Sequence, residues 1–425
     1  MCFRRVLRDP PFYVRAYEQR PVKLIAFSSE HLRLDEPLPF GVRDAAGRLL
    51  LGAGATITSA DKLQELAAQP LFADEDESTE WRRKLAEVVG SMVRGNAALK
   101  TIADARPPAP GARTAVLPTA VPEQCEEISS LLRQALRQAP RDALPDAEFV
   151  TRLRLVHERA LQLAQSHTDA ALYHLIHAAG QHTDNYSSQH ALLVMLVCEQ
   201  AASALRWSPE AVCSLGRAAL SMNVAMAALQ DQLAGSELPP TLLMREKIRD
   251  HAAHGARLLR GAGVDDELWC EVVRLHHDAS DAHLPLHELS EPQRLARLLR
   301  RADIFTAKIS RRRTRMAMSP VQAAREACLG ANGVPDEIGG ALLRATGLYP
   351  PGSFVELVNG ERGIVVARGR RANLPYVASL VAPSGMPLGE PALRDTIEAR
   401  FAVRAALPSA QVKVRPDHRR ILALR

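Results

Sequence analysis

From about Glu123 to Leu348, apolar residues recur at three- and four-residue spacing almost without a break. Segments such as ISSLLRQALRQ, FVTRLRLVHERALQLAQ, HALLVMLVCEQAASALRW and PEAVCSLGRAALSMNVAMAALQDQLA carry the pattern. That period marks helices with one face turned to a core, and a succession of them over 123–348 predicts a helical bundle. Upstream, EPLPFGVRDAAGRLLLGAGATI separates short apolar runs with Asp-Ala-Ala-Gly and Gly-Ala-Gly turns. Thr58 or Ser59 then stands where it can cap the helix ADKLQELAAQ. This predicts a small α+β module over residues 31–99, closing with an amphipathic helix at Glu77 to Leu99. Gly52-Ala53-Gly54 lacks the Lys-Ser/Thr of a phosphate loop and reads as a turn. Residues 100–122 are rich in Pro and Ala and read as a linker. Past Tyr349-Pro350-Pro351-Gly352 the period shifts toward two, with an Asn359-Gly360 turn between β-branched runs, which predicts a β-rich module over 349–425. Residues 1–30 show no period and stay unassigned, with the folded start expected near Leu32. The expected fold class is mainly α: a helical bundle with small α+β and β-rich modules at its two ends.

A chain of 425 residues with 47% hydrophobic positions can bury a substantial core in two or three domains. No run approaches the roughly 18 to 20 apolar residues of a membrane span, and MCFRRVLRDPPFY lacks the apolar centre of a secretory signal. A cytoplasmic location without a membrane partner is the expectation. None of the six cysteines stands in C-x-x-C spacing, and Cys198, Cys213 and Cys270 lie in apolar helical patterns, so they read as reduced core thiols. A net charge of +6 suits an anionic ligand, but arginine is spread along the whole chain, which argues against general nucleic-acid binding.

The histidines change the picture. Twelve of the fourteen lie between His157 and His287. His190 stands in YSSQHALLV, His251 in HAAHGARLL, and His276 with His277 in LHHDASD, followed by Asp303 in RADIFTAKISRRR. Histidines on several helices with a later aspartate form a metal-site pattern. His174, His177, His182, His254, His283 and His287 read instead as solvated or structural residues.

Over roughly residues 146–330 this order resembles the HD-GYP branch of the HD phosphohydrolases, bacterial enzymes that hydrolyse cyclic di-GMP at a two- or three-metal centre. His190 matches the family's first histidine, His251 with Gly255 its H-x-x-x-G, His276-His277-Asp278 its H-H-E, and Asp303 the aspartate that follows. Ala307, Arg312 and Arg315 continue that motif, with Lys308 where Leu is usual. The departures are as clear. Met222 and Asn223 stand where the family's His-Asp dyad belongs, Met226 replaces a lysine, Tyr186 an acidic residue, and Ala282-His283-Leu284-Pro285 the Gly-Tyr-Pro stretch.

The resemblance implies that His190 and Asp303 served one ion with the lost dyad, and His251, His276 and His277 the other. A neutral amide and a thioether suit hard Mn or Fe ions poorly. The expectation is therefore at most one divalent ion, Zn, Fe or Mn, held by three histidines. Arg312 and Arg315 match phosphate-binding basic residues and, on a continuing helix, would share a face with Asp303. The implied function is in bacterial cyclic di-GMP signalling, as a catalytically impaired protein that binds cyclic di-GMP, a related nucleotide or a signalling protein. The alternative is an active metal-dependent phosphodiesterase with an altered centre.

Overall fold

The computed structural model describes residues 24–27, 38, most of 41–75, 78–79, and 120–425 apart from 141 and 330–333. They fall into two units, residues 1–115 and 116–425. In the first, β1 (Leu24–Phe27), β2 (Val42–Arg43), β3 (Leu49–Leu51) and β4 (Leu71–Asp74) form an antiparallel sheet in the order β1-β4-β2-β3, with α1 (Ala60–Ala67) between β3 and β4. The β2–β3 hairpin turns at the expected place. Gly47 N donates to Asp44 O at 2.9 Å, with Gly47 at φ +80° where a side chain would strain the turn. Ser59 holds the N-cap position of α1 without a capping side-chain bond. The expectation that the fold starts near Leu32 is corrected: β1 lies earlier and pairs Leu24 with Asp74 through Phe27 with Leu71. Most of the helix expected at Glu77 to Leu99, the linker up to residue 119, and Ala53-Gly54 lie outside the described residues.

The second unit is mainly helical. Its helices are α2 (Val121–Arg137), α3 (Ala147–Ser166), α4 (Thr168–Gln181), α5 (Tyr186–Ala204), α6 (Pro209–Ser221), α7 (Ala227–Gly235), α8 (Leu242–Ala262), α9 (Glu267–Leu275), α10 (Glu291–Ile309), α11 (Pro320–Cys328) and α12 (Glu337–Thr346). Polar residues start them. Asp146, Ser208, Thr241, Asp266, Ser319 and Asp336 each accept an amide proton three residues on, and Ser290 with Gln293 closes a capping box on α10. At the centre lies α5, buried nearly all round and packed on α2, α3, α4, α6, α7, α10 and α12. A helix apolar on every side belongs there, because only a ring of neighbours can cover it.

One long apolar helix was expected through AALSMNVAM, and here the structure differs. Helix α6 stops at Ser221, a 3-10 turn covers Val224–Met226, and α7 starts at Ala227. The stretch Pro209–Gly235 matches a membrane span in length and composition, but 67% of its apolar window is buried inside the fold.

The C-terminal residues form an antiparallel sheet in the order β8-β7-β6-β5-β9, from β5 (Phe354–Leu357), β6 (Arg362–Ala367), β7 (Tyr376–Val381), β8 (Pro387–Asp395) and β9 (Val403–Leu407), and end in α13 (His418–Leu422). The Asn359-Gly360 turn joins β5 to β6, with Gly360 at φ +87°. Phe354, Ile364, Val366, Ile421 and Leu422 share one apolar core with the helices. Among the described residues the cysteines are free thiols, and Cys125, Cys198, Cys270 and Cys328 are buried.

Leu192 on α5 is wholly buried in this core. Leu192→Ala should lower unfolding stability by about 2–5 kcal/mol, read as a shift in the urea midpoint at unchanged slope.

Candidate metal centre

Three elements bring the sequence-predicted histidines together. His251 sits in the middle of α8 and is 2% exposed, and His276 caps the C-terminus of α9 fully buried, with His277 exposed beside it. Gly255, one turn beyond His251, lets the Met222–Val224 turn lie against α8. A Cβ there would come within 3.3 Å of Val224 Cγ1. One potential ligand atom from each of the three histidines falls within 4.8 Å of the others.

The hydrogen bonds decide what these rings can do. His251 Nδ1 donates to Ile248 O at 2.5 Å and His276 Nδ1 to Val273 O at 2.6 Å. Each bond fixes a tautomer and leaves Nε2 as a bare lone pair. Those two Nε2 atoms face each other at 3.3 Å. Two acceptors cannot bond to one another, whereas an ion between them satisfies both. Two nitrogens at about 2.0–2.1 Å from a tetrahedral ion lie about 3.3–3.4 Å apart, so the spacing fits a shared divalent cation. Burial supports the ligand form. It pushes the His276 imidazole down to about 3, with His277 and His251 adding to the effect, and it also lowers His251; partial desolvation of the ring, with Arg300 adding, lowers His277 although the residue as a whole is exposed. All three are neutral at pH 7.

The second cluster is different in kind. His190, near the start of α5 and 3% exposed, donates from Nε2 to Asp303 Oδ1 at 2.7 Å. Burial by itself would raise the Asp303 carboxyl, but the His190 hydrogen bond and the nearby His190, His276 and His277 hold it down at about 2. It is a carboxylate already engaged by an imidazole. Met222 is 0% exposed inside the apolar core, and Asn223 sits at 7% in the turn, its carbonyl accepting from Met226 N. Neither adds a charged ligand to His190 and Asp303, so these residues do not fit a second ion.

Arg312 and Arg315 depart from expectation. They do not ride one helix face with Asp303, because α10 ends at Ile309. Beyond it, backbone donors find partners elsewhere: Arg311 N on Ala179 O at 2.8 Å and Arg313 N on Ala234 O at 2.9 Å, while Arg312 and Arg315 pair in a tight turn. The Arg312 guanidinium lies 5.2 Å from the Tyr186 ring centroid and donates to its hydroxyl at 3.1 Å, and Tyr186 stacks on His190 at 5.4 Å. Arg315 donates to Ala307 O at 2.5 Å. The part of Tyr186 in this column was missed, although its position four residues before His190 on one helix face was a readable signal. Of the other histidines, His174 contacts Glu126 at 3.1 Å and His177 packs on Tyr173, His418 and Phe354.

A pH dependence follows from burial. His157 and His177 are held at about 4 and His276 at about 3, against 6.5 for an unconstrained imidazole. Below pH 6.5 the unfolded chain takes up protons that the folded chain refuses, so stability is full above 6.5 and declines toward pH 3–4. Urea midpoints of metal-free protein should fall between pH 7 and 5. The fall should shrink in His157→Gln, which lies outside the metal centre.

No family model matches the chain. In sequence it is similar to the cyclic di-GMP phosphodiesterase PA4108 of Pseudomonas aeruginosa, 25% identical over 194 residues. The match covers 45% of this chain and 47% of that protein, so the chain spans about half the length of the relative. Among solved structures, Bd1817, a HDG"Y"P protein from Bdellovibrio bacteriovorus, aligns over 75% of this chain and 98% of its own, with 12% identity and a TM-score of 0.43. The sequence likeness is thus to a cyclic di-GMP phosphodiesterase, and His190, His251, His276, His277 and Asp303 stand in the order that the HD-GYP resemblance implies.

Proposed function

We propose that this HD-GYP-type chain is a pseudoenzyme of bacterial cyclic di-GMP signalling. In this reading it holds one divalent ion, recognises cyclic di-GMP or a related nucleotide, and does not turn it over. The observation that carries the proposal is the contrast between the two clusters. One presents two bare Nε2 lone pairs at 3.3 Å, and the other has its imidazole and carboxylate hydrogen-bonded to each other at 2.7 Å.

His251, His276 and His277 would hold Zn, or less firmly Fe or Mn, leaving room for a ligand from outside the protein. When bound, the ion supplies positive charge that attracts and polarises a phosphate oxygen. The backbone carbonyls of Ile248 and Val273 keep the two rings aimed and uncharged. His190 and Asp303 are hydrogen-bonded to each other. Met222 in the core and Asn223 in its turn give no carboxylate to bridge a second ion, which two-ion phosphodiester chemistry requires. A cytoplasmic location and a signalling-protein partner belong to the same proposal. Titration with cyclic di-GMP, followed by recovery of the ligand intact, tests it.

A further inference from the structure

Arg312 and Arg315 are committed to Tyr186 and to the Ala307 carbonyl, so the guanidinium left free near the histidines has to be sought elsewhere. On α10, Arg297 donates to Leu284 O at 2.7 Å and also to Asp281 O, and it pairs with the Asp281 carboxylate at 3.4 Å. Arg301 pairs with Asp336, and Lys308, further along, with Glu326. Arg300 makes no ion pair or hydrogen bond among the described residues, although it is only partly exposed. It stands three residues before Asp303, hence on the same side of the helix. Its charge acts on both His277 and Asp278.

Arg300 also lines a cavity of about 170 Å³ with Asp278, Asp281, Arg297, Arg301 and Ile304. That volume is below the roughly 300–1,000 Å³ of pockets that enclose a whole small-molecule ligand, and it suits a single phosphate group. Two of the three acidic groups around it are ion-paired, and the third keeps its charge. Asp281 is paired with Arg297, Glu326 with Lys308, and Asp278 accepts the Ser280 amide at 2.9 Å.

We infer that Arg300, in the small pocket beside His277, is the phosphate-binding residue of this site, and that it grips one phosphate of a nucleotide whose other atoms reach the ion. The inference rests on the function proposed above and assigns the anion contact within it. A guanidinium that is not already bonded is well suited to this, because it meets a phosphate with two parallel N–H donors and loses no existing partner in doing so.

The test is calorimetry of zinc-loaded protein with inorganic phosphate and, separately, with cyclic di-GMP, at one fixed near-physiological salt concentration. Arg300→Gln is compared with Arg294→Gln, and zinc content is measured for each. Arg300→Gln should weaken phosphate and cyclic di-GMP at least about tenfold, the size of one charge-assisted hydrogen bond, with zinc content unchanged. Arg294→Gln, on the same helix but outside the pocket lining, should stay within about twofold. Equal binding by Arg300→Gln and wild type, or equal weakening by both changes, overturns the inference. Wild type that binds phosphate through Arg300 but ignores cyclic di-GMP keeps the anion pocket and removes the proposed nucleotide. Tight cyclic di-GMP binding untouched by Arg300→Gln does the reverse.

Discussion

Purified protein supplied with Mn or Fe is expected to leave cyclic di-GMP uncut over times in which a working phosphodiesterase would linearise it to pGpG. The reason lies at Met222 and Asn223. Two-ion hydrolysis needs one ion to activate the attacking oxygen and another to steady the leaving one, and a bridging carboxylate to hold the pair. Here the dyad positions give a thioether buried in the core and a neutral amide in a turn, and the remaining candidates, His190 and Asp303, are hydrogen-bonded to each other at 2.7 Å. Losing one ion's stabilisation raises the barrier by several kcal/mol, hence slows the step by orders of magnitude. Chromatography of the nucleotide after prolonged incubation checks this, and linear product at ordinary enzyme rates refutes it.

The second large effect concerns the ion. Elemental analysis of zinc-equilibrated protein should give one ion per chain, and His276→Ala should weaken zinc by more than about 100-fold. Outer partners of metal ligands alone cost about 10–100-fold, and His276 is proposed as a ligand, with its lone pair already aimed at that of His251. Because His276 is wholly buried, its removal also opens a hole, so the melting transition is followed alongside. Asn223→Ala is the companion variant. It should leave zinc affinity unchanged, and retention of the ion by a folded His276→Ala protein would show that the ligands have been misassigned.

The helices were legible because their apolar residues repeat at helical spacing, and α5 carries so many of them that a central place followed. The histidine trio was legible from order and resemblance, and the structure brings its members together. The break after Ser221 was not, because Met222 and Val224 continue an apolar run that reads equally well as helix or as buried turn. The departure of Arg312 and Arg315 from α10 was hidden for a related reason. Counting at 100° per residue assumes a helix that continues, whereas the carbonyls of Ala179 and Ala234, distant in sequence, draw the chain away. Strand β1 escaped notice since its partner β4 lies more than forty residues downstream, and four residues without turn signals show no period of their own. Arg300 stood among many arginines, and only the pairing of its neighbours sets it apart.

The most direct test is a single titration. Cyclic di-GMP is added to zinc-loaded protein in a calorimeter and the contents are then separated by chromatography. Saturable binding at one site per chain, with the nucleotide recovered intact, is the predicted result, and either conversion to pGpG at enzymatic rates or the absence of any binding would contradict it.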